Sequence, residues 1–165
     1  MIAQVEELSA LVADLVELDP DTAPELEDVR LDELVAATVE RARVRAPGAT
    51  FTTELEPSVV QAAPAQVERA VSNLLDNAAK WSDSVDVCVA GPEVIVRDHG
   101  PGIGEEDLPH VFDRFYRAAS ARHLPGSGLG LAIVRQVAQA HGGEATAENA
   151  AEGGAVFRFR LLPGS

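Results

Sequence analysis

The feature that most limits the fold is a pair of strand-like runs, SVDVCVA and EVIVRD, within residues 84–98. Both alternate or run apolar and β-branched, and Gly91-Pro92 between them reads as a tight hairpin turn. A helix from 64 to about 81 precedes the pair. Pro64 suits its first position, where the missing N–H has no helical partner to lose. Upstream, residues 31–45 carry Leu31, Leu34, Val35 and Val39 at helical spacing. TFTTEL (50–55) and SVVQA (58–62) are strand candidates. Downstream, a helix over 128–141 leads into strands near 143–148 and 154–162. Helices and strands are thus mixed, with two hairpin-like pairs. This order predicts an α/β (α+β) two-layer sandwich: a mixed, mostly antiparallel sheet with helices on one face.

Two segments stand apart from that core. Residues 4–18, QVEELSALVADLVEL, place Val5, Leu8, Leu11, Val12, Leu15 and Val16 on one helical stripe that needs a partner helix. DPDTAP (19–24) breaks the helix and reads as a linker. Residues 99–127 are a long irregular stretch rich in Gly, Pro and charge, a length typical of functional lids.

Composition removes several function classes. The 165 residues suit one domain with a short appendage. The net charge of −14 argues against a nucleic-acid-binding surface. Residues 1–60 hold 14 Asp/Glu against 4 Arg and no Lys, so the cations of any anion site must come from the remainder. No apolar run approaches the roughly 18–20 residues of a membrane span, and no signal-peptide pattern opens the chain. This segment is therefore expected to make no membrane contact. Cys88 is the sole cysteine, which excludes an internal disulfide and fits a reducing compartment.

Four short constellations carry chemistry. In NLLDNAAKWS (73–82), Asn73 and Asn77 are four residues apart and share a helix face, with Lys80 and Trp81 within the next turn. Carboxamide oxygens are neutral hard ligands, suited to a Mg²⁺ that already carries phosphate oxygens. Lys80 offers a point charge to phosphate, and Trp81 a flat face to a base. An ordinary amphipathic helix with solvated amides would look the same. In VRDHGPGIG (96–104), a β-branched strand ends in Asp98, followed by Gly100, Gly102 and Gly104. A carboxylate there can accept from an exocyclic amine, and the glycines let a ligand approach the backbone. A turn with Asp98 as a cap is the plainer alternative.

In VFDRFYRA (111–118), Phe112 and Phe115 either anchor a short helix or form a hinge that sets Arg117 on a terminal phosphate. Finally, GSGLGLAIV (126–134) has glycines at 126, 128 and 130 opening a helix whose orphan N–H groups point toward an anion. It is neither a P-loop, lacking Gly-Lys-Ser/Thr, nor a dinucleotide fingerprint, since Leu131 follows and the preceding AASARHLP is loop-like.

In this order the four segments resemble the ATP-binding catalytic domain of sensor histidine kinases, in the superfamily that includes gyrase, Hsp90, MutL and histidine kinases. NLLDNAAKWS is similar to the asparagine box, DHGPGIG to the first glycine box, FDRFYR to the phenylalanine box, and GSGLGLAIV to the second glycine box. HGGEATAEN (141–149) and GGAVFRFRLLP (153–163) resemble the closing strands. The likeness covers about residues 28–163, and AAKWS with RAASARHLPGSGLGLAIV is similar to MprB-type actinobacterial kinases.

The resemblance implies a Bergerat fold with a long ATP lid over roughly 105–127, and Mg²⁺ and ATP as cofactors. It implies that Asn77 coordinates Mg²⁺ with Asn73 assisting, that Lys80 and Arg117 contact phosphate as the catalytic cations, and that Asp98 recognises the adenine amine. Trp81 would stack beside the base. Gly100, Gly102, Ile103 and Tyr116 would line the nucleotide site, and Gly126, Ser127, Gly128, Leu129, Gly130 and Leu131 the lid hinge and triphosphate cradle.

One position separates the two chemistries of the superfamily. Hydrolytic relatives place Glu four residues before the magnesium asparagine as a general base. Here that residue is Asn73, whose carboxamide takes no proton at neutral pH. Phosphoryl transfer to a histidine is therefore expected over hydrolysis. His99, His110, His123 and His141 lack acceptor-type neighbours and read as surface or loop residues. The acceptor would then belong to a dimerisation and phosphoacceptor domain. Residues 1–18 would be the remnant of that domain's second helix, 19–27 a linker and 28–165 the catalytic domain.

The parent would be a homodimeric membrane sensor with a cognate response regulator, this segment its cytoplasmic, monomeric part. The alternatives are a non-catalytic nucleotide-binding module, an anti-sigma-type serine kinase, or an interaction module of the same fold.

Overall fold

A computed structural model of the chain describes residues 25–113 and 130–163. The expected helix at 4–18 and most of the linker lie outside these residues, as does the lid from 114 to 127 with Tyr116, Arg117, Gly126 and Ser127. Gly128 and Leu129 lie outside them too.

The element order is β1 (Glu27–Arg30), α1 (Leu31–Arg45), β2 (Thr50–Leu55), β3 (Val59–Ala62), α2 (Pro64–Trp81), β4 (Ser84–Ala90), β5 (Glu93–Asp98), α3 (Gly130–Ala140), β6 (Glu144–Asn149), β7 (Ala155–Arg160) and β8 (Leu162–Pro163). A 3₁₀ turn at Leu108–His110 sits in the connection after β5. Five strands form one sheet in the order β2-β4-β5-β7-β6, with β2 and β4 parallel and the other neighbours antiparallel. This is the mixed, mostly antiparallel sheet that the sequence predicts. A second, three-stranded sheet, β1-β3-β8, was not expected from the sequence. Its first strand starts at Glu27, within the stretch read as linker.

The hairpin turns where expected, with Gly91 at φ +57, a value few residues other than glycine adopt. Its register pairs Val87 with Val96 and Val89 with Val94. These valines are essentially fully buried, as are Val85, Phe157 and Phe159. Together with Phe51 they make the covered face of the large sheet, over which α1, α2 and α3 pack. Asp86, Cys88, Arg97 and Arg158 lie on the opposite, less covered face, where Arg158 bonds Glu93 at 3.0 Å and Glu148 at 3.1 Å. Each helix buries one stripe, such as Val67, Ala70, Val71, Leu74, Leu75 and Ala78 of α2. Burying a Val or Leu contributes about 1.5–3 kcal/mol, so these stripes orient the helices.

α2 carries the asparagines, and it is tied at both ends. At its start, His141 accepts from the Ala63 N–H through Nε2 (3.0 Å) and donates from Nδ1 to the Val137 carbonyl (2.7 Å). His141 lies in the turn after α3, but its ring is 1% exposed, so it is not the surface residue that the sequence reading allowed. Burial lowers its pKa below the usual 6.5 and keeps it neutral. At the far end, Gly100 packs against Trp81. A Cβ on Gly100 would stand 2.6 Å from the Trp81 carbonyl oxygen.

Candidate functional site

The site lies where the end of β5, the face of α2 and the start of α3 converge. Asp98 is the last residue of β5, paired with Val85 on the covered side, and is only 2% exposed. Its Oδ1 accepts from Gly100 N–H at 2.9 Å and from Ala155 N–H at 3.2 Å. A carboxylate so buried must be hydrogen-bonded to be tolerated. Two backbone donors on one oxygen fix its rotation, and no bond among the described residues engages Oδ2. That oxygen is left as an acceptor for a ligand. Gly154, at φ +84, lets β7 come this close. A Cβ there would lie 1.9 Å from the Asp98 carbonyl oxygen.

The glycine loop turns away from Asp98 at Gly102, φ +83. The next residue, Ile103, packs partly buried on the core. Its main chain is held at both atoms by Asn149. Ile103 N–H donates to Asn149 Oδ1 and Asn149 Nδ2 donates to the Ile103 carbonyl, each at 2.7 Å. Nothing local in the sequence points to this residue: an Asn at a strand end reads as ordinary turn chemistry, and its partner lies 46 positions away.

On the helix side, Asn73 Nδ2 donates to the Gly130 carbonyl at 3.2 Å, joining α2 to the first residue of α3. A Cβ on Gly130 would meet Asn73 Cγ at 3.9 Å, so the two helices approach closely here. Because its nitrogen is spent on Gly130, the Asn73 oxygen is the atom left to face a ligand. Asn77, one turn on, is half-buried and has no partner among the described residues. Lys80 is exposed on the last turn, Trp81 is half-buried, and Leu131 packs partly buried on the core. The structure thus brings together Asn73 with Gly130, Trp81 with Gly100, and Asp98 with Gly100.

The described residues hold no cluster of three or more His, Cys, Asp or Glu able to cage a metal. A Mg²⁺ here would rest on neutral carboxamide oxygens. Such a donor set fits an ion that brings phosphate oxygens and waters with it, and does not fit a bare ion.

His99 does not enter the site. Its Nε2 lies 2.8 Å from Asp86 Oδ2, on the sheet face opposite Asp98. The first part of the expected lid is also anchored rather than open. Asp107 and Phe112 are buried, and Phe112 meets Phe157 edge-on, centroids 6.2 Å apart at 86°. Asp113 bonds His110 at 3.0 Å and stands 3.6 Å from Arg135 of α3.

The chain that carries this arrangement has known relatives. The chain belongs to the family of histidine kinase-, DNA gyrase B- and HSP90-like ATPases, which residues 62–165 match. Within it, the chain is 43% identical over 177 residues to the signal transduction histidine-protein kinase/phosphatase MprB of Mycobacterium avium (strain 104), covering 99% of this chain and 34% of that protein. Against the MprB of Mycobacterium sp. (strain KMS) the identity is 46% at the same coverage. The chain therefore spans about a third of the length of the curated relatives it matches.

Among solved structures, a mycobacterial sensor histidine kinase MprB superposes with TM-score 0.75 at 38% identity, over 84% of this chain and 100% of that one. The ATP-binding domain of PrrB from Mycobacterium tuberculosis gives 0.71 at 29% identity, over 86% and 99%. Among the described residues no helix is long and apolar enough to cross a membrane.

Proposed function

We propose that this chain is the Mg·ATP-binding catalytic part of a longer two-component sensor histidine kinase. It would hold ATP while a histidine on a dimerisation and phosphoacceptor domain takes the γ-phosphoryl group. The observation that carries the reading is Asp98: Oδ1 locked by two backbone N–H groups, Oδ2 free at the end of β5. That is the acceptor an exocyclic adenine amine needs, on a carboxylate that cannot rotate away. The named relatives are sensor kinases of the MprB type, which supports the same reading.

In the transfer step, an imidazole nitrogen of the acceptor attacks the γ-phosphorus and the bond to the β–γ bridging oxygen breaks. ADP leaves with that electron pair. Bound Mg²⁺ would neutralise charge on the phosphate oxygens. The chain's own residues position the nucleotide. Asp98 and the glycine loop set the base, Trp81 lies beside it, and the oxygens of Asn73 and Asn77 face the metal-bound phosphates. Lys80 and Arg117 supply cationic charge to phosphate. Tyr116 is assigned to the nucleotide site, and the segment from Gly126 to Leu131 to the triphosphate. With Asn73 where a general base would stand, water is not activated. Residues 1–18 are read as the end of the phosphoacceptor hairpin, 19–27 as its link to the catalytic domain, and the parent as a membrane sensor with its own response regulator.

Trp81 gives a direct test. Titration with Mg·ADP should produce a saturable fluorescence change that weakens when EDTA replaces Mg²⁺. Labelled ATP and a separately made histidine-bearing phosphoacceptor fragment should then yield acid-labile phosphate on the fragment. No fluorescence change together with no heat in calorimetry would remove the nucleotide reading. Binding without transfer would leave a nucleotide-binding module.

A further inference from the structure

We infer that Asn149 is a positioning residue for the base end of the nucleotide site, an inference that rests on the ATP-binding reading above. Asn149 ends β6 and pairs in register with Ala155 of β7. Ala155 N–H in turn bonds Asp98 Oδ1 at 3.2 Å. Asn149, Ala155 and Asp98 therefore form one row across three neighbouring strands. The glycine loop leaves this row at Asp98 and is brought back to it at Ile103 by the two Asn149 bonds, each 2.7 Å.

Both ends of the loop are thereby fixed to the same row of the sheet. Gly100, whose N–H holds the Asp98 carboxylate, lies between them. The fit is close: at Gly102, whose φ of +83 already favours glycine, a Cβ would stand 2.8 Å from Asn149 Oδ1. Without the carboxamide, Ile103 loses both main-chain bonds, and only its side-chain packing on the core still holds that end of the loop. The Asp98 rotamer then has a mobile Gly100 as one of its two supports.

Asn149 is itself exposed, so its replacement leaves the core intact. The carboxamide is also specific, since it presents a donor and an acceptor at once. Asn149→Asp keeps the acceptor for Ile103 N–H but sets a second carboxylate oxygen against the Ile103 carbonyl.

The test is calorimetric titration of Mg·ADP into the full chain and its variants at a temperature where each is shown folded by circular dichroism. Asn149→Ala should raise the ADP dissociation constant about tenfold, and Asn149→Asp by at least as much. Amide exchange should speed up at Gly100 and Ile103, with the buried strands β4 and β5 unchanged. With an acceptor fragment, KM for ATP should rise while kcat holds, a split that loss of folded protein would not produce. Asn149→Ser, which removes the carboxamide but keeps a small polar side chain, should weaken ADP binding in the same way and serves if Asn149→Ala does not fold. A folded Asn149→Ala chain that binds ADP as tightly as the parent overturns this inference alone. A parent chain that binds no ADP overturns the nucleotide reading as well.

Discussion

The two ends of the site are built differently. At the proposed base end, two backbone N–H groups hold Asp98 Oδ1, the Asn149 carboxamide holds both main-chain atoms of Ile103, and Gly100 lies close against the Trp81 carbonyl. At the proposed phosphate end, Asn73 bonds Gly130, and Asn77 has no partner among the described residues. The difference between the Asp98 side and the asparagine side is physical, since half-buried neutral amides can stay solvated, whereas a buried carboxylate cannot be left unpaired.

The sharpest way to break this comparison is at the phosphate end. Asn77→Ala should lower transfer to an acceptor fragment by about 100-fold or more. Its thermal midpoint should stay near that of the parent, because no bond within the described fold is lost. A large drop in melting temperature would mean that the helix face is as pre-built as the base end.

The next effect belongs to the base end. Asp98→Asn can still accept from Gly100 and Ala155 through its carbonyl, but its amide then points a donor at the adenine amine. ADP affinity should fall about tenfold or more, with a modest loss of stability. An unchanged affinity by calorimetry would remove Asp98 from base recognition.

The smallest effect concerns the support that both ends share. The His141 pKa is lowered in the folded chain, so the unfolded chain takes up the proton first. Stability from this group is fully present above about pH 6.5 and declines as pH falls from there toward the folded pKa. Urea unfolding at pH 7.5 and pH 5.5 should show that decline, and His141→Gln should flatten it. An equal slope in both proteins would place the acid sensitivity elsewhere.

Much of the fold was legible in the sequence because its signals were local. Alternation around Gly91-Pro92 defined β4 and β5, and Pro64 marked the start of α2. What escaped reading depends on distant partners. β1 is the tetrapeptide EDVR, with no apolar alternation, and exists because Glu27 to Arg30 pair with Ala62 to Val59. β8 is two residues long. His141 looked like loop chemistry because nothing nearby announces that Ala63 will need an acceptor. The same holds for the site. Asn73, Asn77 and Asp98 stand out in the sequence because each lies in a compact motif. Asn149 was missed because its role is a contact across the sheet.

The small sheet also has a mechanical consequence. β3 pairs with β1 on one side and β8 on the other, so the first and last described strands are both pinned to four residues. One residue later the chain enters α2. A pull on the segment leading into β1 and a load on the segment leaving β8 would be borne by the same short strand. That strand runs through Ala63 directly into the helix that carries Asn73 and Asn77.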